Sequence, residues 1–175
     1  MKFAVTQHFP AGLDRLWLTF GQQEYARQKY LALGATAVRI DSFRSSAQLI
    51  EVELERAIPV HRSQLPVWMR SLVGGEQKLR HQTRWRRLDR QHVAAELEIS
   101  PVDLPVSARG VGTIVEAAPD LTRMELDWTV ESVLPVVGRK VERLFADQLR
   151  AALAADHDFT LKYLQHPHLP SLPPR

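Results

Sequence analysis

Residues 49–60, LIEVELERAIPV, decide the fold because apolar and charged side chains alternate along them. Ile50, Val52, Leu54 and Ile58 share one face of an extended strand, while three glutamates share the other. A slip of one residue would bury the three carboxylates, so the alternation also fixes the register of the strand. The pattern predicts a strand with one face in an apolar interior and the other in water.

Later segments repeat the alternation, with short turns between them. A strand is predicted around Val38 and Ile40, and others at about 77–87, 93–99, 106–117 and 121–132. In an antiparallel meander, the basic outer face of strand 77–87 lies between the acidic strand 49–60 and the strand that carries Glu96 and Glu98. Cross-strand pairs of opposite charge stabilise by about 0.2–1 kcal/mol each, so the charges favour this strand order.

The first third of the chain predicts a strand followed by two short helices. Residues 2–9 alternate as a strand that Pro10 ends. Apolar side chains then recur at helical spacing over 13–20 and again over about 22–33. Gly34 is well placed to end the second helix in the left-handed conformation.

The last regular element is the longest. Its apolar stripe runs from Pro135, which suits a first helical turn, to about Tyr163, a length of roughly 42 Å at 1.5 Å per residue. A single sheet with one wet face must cover its dry face, and only this helix is long enough to do so. We therefore predict an α+β fold of about seven curved antiparallel strands wrapped around a long C-terminal helix. Residues 1–165 form a single domain in this interpretation, and 166–175 form a flexible Pro-rich tail.

Composition excludes several function classes. The 175 residues are 45% hydrophobic and 25% charged, with a net charge of +3, as in an ordinary globular domain. The chain has no cysteine, which excludes disulfides, thiolate metal sites and cysteine nucleophiles. No apolar run approaches ~18 residues and the start lacks a signal peptide's apolar core, so we expect a cytoplasmic protein.

Three stretches resemble a known superfamily. They are Met1-Lys2-Phe3, the helical residues 24–34 (EYARQKYLALG) and the helix start 133–138 (VLPVVG). With the order of elements, they resemble the START-like (SRPBCC, helix-grip) superfamily, and within it a bacterial branch known only as a domain of unknown function. That superfamily includes lipid-transfer domains and aromatic polyketide cyclases. The resemblance implies a cavity between sheet and helix that holds an apolar ligand, and it carries over no catalytic residues.

The inward faces of these elements supply the candidate ligand-binding residues. They are Ile50, Val52, Leu54, Leu79, His81, Thr83, Trp85, Val93, Leu97, Met124, Trp128, Val141, Leu144 and Phe145. His81 and Thr83 are the polar groups expected to orient a guest, with Gln7 and Arg56 as outer candidates. The alternative is a packed core in which His81 and Thr83 bond to each other or to water. Apolar alternation does not distinguish a core from a cavity.

Residues 62–75 are a candidate lid. They carry Leu65, Trp68 and Met69 and end in Gly74-Gly75, which is a plausible hinge. The alternative is a connector whose apolar side chains pack permanently.

Two other patterns favour structural roles. Gly110-Val111-Gly112 lies inside a strand rather than before a helix, which favours a sheet bend over phosphate binding. The basic cluster around Arg84 has Trp85 on the opposite face, so the aromatic ring that a nucleic-acid binder would use for stacking points inward. We therefore expect no nucleic-acid partner, while a transient contact with anionic lipid headgroups stays open.

The leading hypothesis is a non-enzymatic protein that binds an apolar or amphipathic, lipid-like small molecule. One alternative is an enzyme on the same scaffold, similar to a polyketide cyclase or hydratase, with His81 as acid–base. Another is a protein-interaction or co-chaperone module with a filled core. No metal, cofactor or catalytic motif is present in the sequence, and no oligomeric state is indicated.

Overall fold

The structure, a computed structural model, describes residues 1–61, 63, 65–70 and 74–165. The tail predicted at 166–175 and the side chain of the predicted lid residue Trp68 lie outside the described residues. No helix in the part of the chain that is described is long and apolar enough to cross a membrane.

The order of elements is the predicted one: a strand, two short helices, six strands and a long helix. The elements are β1 (Lys2–Phe9), α1 (Leu13–Phe20), α2 (Gln23–Ala32), β2 (Ala37–Ser45), β3 (Leu49–Pro59), β4 (Glu76–Arg87), β5 (His92–Pro101), β6 (Val106–Ala118), β7 (Leu121–Ser132) and α3 (Gly138–Gln165). A short 3-10 helix, Val67–Met69, lies between β3 and β4. Gly34 follows α2 with φ +88°, so its predicted left-handed conformation is confirmed.

The strands form one seven-stranded antiparallel sheet in the order β1-β7-β6-β5-β4-β3-β2. β4 lies between the acidic strands β3 and β5, as the charge alternation predicts. Arg84 is opposite Glu51 on one side and Glu96 on the other, and its Nε lies 2.8 Å from a Glu51 carboxylate oxygen. The outer face therefore consists of paired charges, and the inner face is left for apolar side chains.

The long helix begins at Gly138, three residues later than the sequence predicts. Val136 has φ 66°, a left-handed conformation that a helix cannot continue through. The chain enters α3 only after this residue, where the Gly138 N–H donates to the Leu134 carbonyl oxygen at 3.1 Å. The prediction at Pro135 used the preference of proline for a first helical turn, and the backbone at Val136 overrides that preference.

Candidate functional site

A cavity of about 460 Å³ lies between the inner face of the sheet and α3, with α2 covering part of it. Small-molecule sites have volumes of about 300–1,000 Å³ and are mostly apolar with a few polar groups, and this cavity fits both criteria. Gln7 of β1 connects sheet and helix at its wall, donating from Nε2 to the Leu153 carbonyl oxygen at 2.9 Å.

Most of the predicted cavity residues line this one space. They are Ile50, Val52, Leu54, Leu79, His81, Thr83, Trp85, Leu97, Met124, Leu144 and Phe145. The two outer candidates, Gln7 and Arg56, also line it. The structure therefore brings these side chains together, and their contact with a ligand stays a prediction.

Three predicted residues do not line the cavity. Val93, Trp128 and Val141 are almost fully buried in the packed core. Trp128 occupies its own space because it faces Gly110 on the neighbouring strand, where a Cβ would lie only 2.7 Å from the indole ring. An inward position is thus necessary but not sufficient for lining the cavity, and we leave these three out of the candidate site.

The predicted lid contributes two side chains to the cavity wall, Leu65 and Met69. Met69 is buried, while Val67 between them points to solvent with 77% of its surface exposed. Arg70 braces the segment by donating from Nε to the Leu65 carbonyl oxygen at 3.0 Å. Movement of this segment stays a prediction.

A polar cluster lines the cavity beside α2, and alternation along the strands predicted only its members His81 and Arg56. Arg56 on β3 donates from Nε to Nε2 of His81 on β4 at 3.0 Å, and its guanidinium lies 4.7 Å from the centre of the Tyr30 ring. Lys29 on α2 forms an ion pair of 2.9 Å with Asp156 on α3. The cluster therefore joins the sheet to both helices.

The Tyr25 hydroxyl closes a second contact between the two helices. It lies 2.6 Å from the Thr160 hydroxyl, and both side chains are buried. Burial raises the pKa of Tyr25, so the hydroxyl stays protonated and free to donate.

Helical spacing could have predicted the cavity residues of α2 and α3 that the sequence analysis missed. Ala26, Lys29 and Tyr30 on α2 and its C-cap residue Leu33 share one face at i, i+3, i+4 and i+7, and all line the cavity. On α3 the lining stripe continues through Leu149, Ala152, Leu153, Asp156 and Thr160. A stripe traced from Ala152 through the apolar residues Ala155 and Phe159 misses Asp156 and Thr160, and the structure leaves Ala155 exposed.

Electrostatics fix the protonation of the cluster. Burial, followed by the charges of Arg56 and Lys29, lowers the pKa of His81 well below its usual 6.5. His81 is therefore neutral at physiological pH, with its proton on Nδ1, since Nε2 accepts from Arg56. Burial also lowers the pKa of Arg56, although a guanidinium stays charged in proteins. Burial opposes the charge on Lys29, but the Asp156 carboxylate together with Tyr30 and Tyr25 outweighs it, and the pKa of Lys29 is raised.

We expect stability to fall on acidification below about pH 6.5, because the unfolded chain then protonates His81 while the folded protein does not. The contribution of neutral His81 to the free energy of unfolding is complete above about pH 6.5 and decreases as the pH falls through that value. His81→Gln keeps an acceptor for Arg56. It is expected to reduce the slope of the free energy of unfolding against pH by up to about 1.4 kcal/mol per pH unit. Urea unfolding of both proteins between about pH 5 and about pH 7 measures the difference.

His8→Gln is the matched control, because His8 is an exposed histidine outside the cavity. Its stability profile is expected to run parallel to that of the wild type. Equal slopes for the wild type and His81→Gln would contradict a neutral, buried His81.

Among the described residues, no three or more metal-ligating side chains cluster together. Trp85 is buried and lines the cavity, so its ring is not available to stack on a base from outside. On the surface, the nearby Arg87 pairs with Asp14 at 2.6 Å.

The architecture, seven curved antiparallel strands around a long C-terminal helix with two short helices after the first strand, is the helix-grip fold that the resemblance to the START-like superfamily implies. A profile of the DUF2505 family, described as a protein of unknown function, matches residues 4–164. The chain belongs to this family, and the predicted fold class is confirmed.

Relatives and solved structures agree with this assignment. An uncharacterised protein of Mycobacterium tuberculosis is 22% identical over 170 residues, which cover 93% of this chain and 96% of the relative. A crystal structure from Thermus thermophilus aligns with a TM-score of 0.59 at 12% identity, covering 95% of this chain and 99% of that one. The Zhui aromatase/cyclase of Streptomyces aligns with a TM-score of 0.57 at 11% identity, covering 98% and 96%. At these identities the two solved structures show a shared fold.

Proposed function

We propose that this protein binds an apolar or amphipathic small molecule in the cavity between the sheet and α3. The observation that carries the proposal is the cavity itself, about 460 Å³ of space inside an otherwise closely packed fold. At about 25 cal/mol per Å², burying a few hundred Å² of ligand surface yields several kcal/mol before ordering costs. The cavity also supports this proposal over an interaction module with a filled core.

A catalytic role for His81 has less support. A general base needs a free lone pair directed at the substrate, and the Nε2 lone pair already accepts from Arg56. The lowered pKa also makes His81 a weak base. We therefore place His81 as a group that orients Arg56.

The first experiment is native mass spectrometry of freshly purified protein, with extraction of any bound lipid. The second is titration with the uncharged fluorescent probe phenylnaphthylamine, whose emission rises in apolar surroundings. We expect saturable binding with one site per chain. Failure of this probe and of any extracted molecule to bind would contradict the proposal.

Ala152→Trp is expected to weaken probe binding at least about tenfold, or about 1.4 kcal/mol. Ala152 lines the cavity from α3, and an indole at this position would fill space that the ligand needs. Because the new side chain enters an existing cavity, the cost to folding stays at or below the usual range of about 1–3 kcal/mol for overpacking.

Ala151→Trp is the matched control. Ala151 is next to Ala152 on the same helix and is exposed, so this substitution adds the same side chain outside the cavity. It is expected to bind the probe like the wild type. Equal weakening by both substitutions would show that the probe binds somewhere other than the cavity.

A further inference from the structure

Arg56 is a buried cation in an apolar strand face. It occupies an inward position of β3, next to Leu54 and Ile58 on that face, and only 8% of its surface is exposed. Apart from the Nε–H donated to His81, its contact is with the face of the Tyr30 ring. Within the described part of the chain, no carboxylate forms an ion pair with it.

The other charges that line the cavity compensate Arg56 only in part, because the Asp156 carboxylate attracts it from a distance but forms its ion pair with Lys29. Lys29 and Asp156 pair with each other at 2.9 Å, and His81 is neutral because burial, and then the two nearby cations, lower its pKa. The described cavity wall thus carries two permanent cations and one carboxylate, which leaves one positive charge in excess. An uncompensated buried charge costs several kcal/mol, and an anion placed beside it offsets that cost.

The hydrogen bond to His81 defines which part of Arg56 is available. This hydrogen bond uses the Nε–H and holds the plane of the guanidinium. The two terminal nitrogens have no hydrogen-bonding partner among the described residues. Two parallel N–H groups on one guanidinium match the two oxygens of a carboxylate.

We infer that the ligand is a monoanionic amphiphile whose carboxylate binds the terminal nitrogens of Arg56 while its apolar body fills the rest of the cavity. This inference rests on the proposed function and names the ligand class. A single excess positive charge matches one carboxylate, and the cavity volume suits one acyl chain or a small fused-ring system. His81 acts as a positioning residue, since its Nε2 accepts from Arg56 and holds that guanidinium in place.

The test uses two pairs of compounds that differ only in the head group. Laurate and lauryl alcohol represent an acyl chain, and naphthoate and naphthalenemethanol represent a fused ring. Each compound displaces phenylnaphthylamine from the protein, and the readout is the ratio of the alcohol Kd to the carboxylate Kd. This ratio cancels a general change in the cavity, because both compounds meet the same apolar wall.

For the wild type we expect the carboxylate of at least one pair to bind about 10- to 100-fold more tightly than its alcohol. Arg56→Gln is expected to bring this ratio close to one. Arg56→Lys keeps the charge but not the two parallel N–H groups of the guanidinium, and is expected to give an intermediate ratio. Arg44→Gln is the matched control on the outer face of the sheet, where the side chain is 78% exposed, and is expected to keep the wild-type ratio.

Each outcome decides between the two proposals. A wild-type ratio near one in both pairs, with displacement by the alcohols, would overturn the carboxylate inference and leave the proposed function standing. A wild-type preference that persists in Arg56→Gln would overturn the assignment to Arg56. Absence of binding by the neutral probe and by all four compounds would overturn the proposed function, and the inference with it. The preferred pair identifies the body of the ligand as a chain or a ring.

Discussion

Gly112→Ala is expected to destabilise the protein by about 4 kcal/mol or more, which places it among the most damaging single substitutions. Gly112 lies in the middle of β6, opposite Ala95 of β5 and Leu126 of β7. A Cβ at this position would overlap the carbonyl oxygen of Glu125 and lie 2.8 Å from its carbonyl carbon. Those atoms are backbone, so relief requires β6 and β7 to separate rather than a side chain to turn. Urea unfolding followed by circular dichroism measures the loss.

Gly75→Ala is the matched control, because a Cβ there has no neighbour within 4 Å. It is expected to change stability by at most about 0.5 kcal/mol. A loss below about 1 kcal/mol in Gly112→Ala would mean that the two strands are not in such close contact. It would then remove the physical reason for a glycine in this strand.

The same close approach relates the two glycines to the curvature of the sheet. Gly110 and Gly112 lie on the inner face of β6, where one receives the ring of Trp128 and the other receives the backbone of β7. A side chain at Gly110 would displace the Trp128 ring, and one at Gly112 would push β7 away from β6. The bend predicted from the two glycines is consistent with the way the sheet curves around α3.

Strand patterns predicted the fold because each strand is wet on one face and apolar on the other. The glutamates of β3 lie opposite the arginines of β4 in the antiparallel pairing of these strands. The charges that determine which face of each strand points outward therefore also determine the strand order. The start of α3 was not predictable in the same way. It depends on the left-handed backbone of Val136, a conformation that a β-branched residue rarely adopts and that the sequence does not signal.

The candidate site was predictable where a strand supplies it and where the apolar stripe of α3 supplies Leu144 and Phe145. Period-two alternation assigns every inward residue to the interior, but it cannot separate Leu54, which lines the cavity, from Val93, which lies in the packed core. The helices supply the polar end, where Lys29 and Asp156 occupy inward positions of amphipathic stripes. A stripe traced through apolar residues alone omits them, because each is a favourable interior residue only in the presence of the other.

Asp156→Asn is expected to destabilise the protein by about 3 kcal/mol, because it leaves the Lys29 ammonium without its carboxylate. The Lys29 side chain is 13% exposed and lies between the Tyr25 and Tyr30 rings, at 5.5 Å and 4.8 Å from their centres. The rings offer cation–π contact but cannot replace a full negative charge. Asp147→Asn is the matched control on the same helix, where an exposed pair with Arg150 is expected to contribute at most about 0.5 kcal/mol.

The double variant Lys29→Met with Asp156→Leu separates the value of the pair from the cost of breaking it. Apolar replacement of both partners in a buried ion pair is often neutral, so we expect stability within about 1 kcal/mol of the wild type. Such a result would mean that the ion pair adds little to stability. It would also mean that the charges of Lys29 and Asp156 cancel each other, so that Arg56 is the cation available to an anionic ligand. If the double variant loses as much as Asp156→Asn, the pair stabilises the contact between α2 and α3 directly, and its role in the charge of the cavity is secondary.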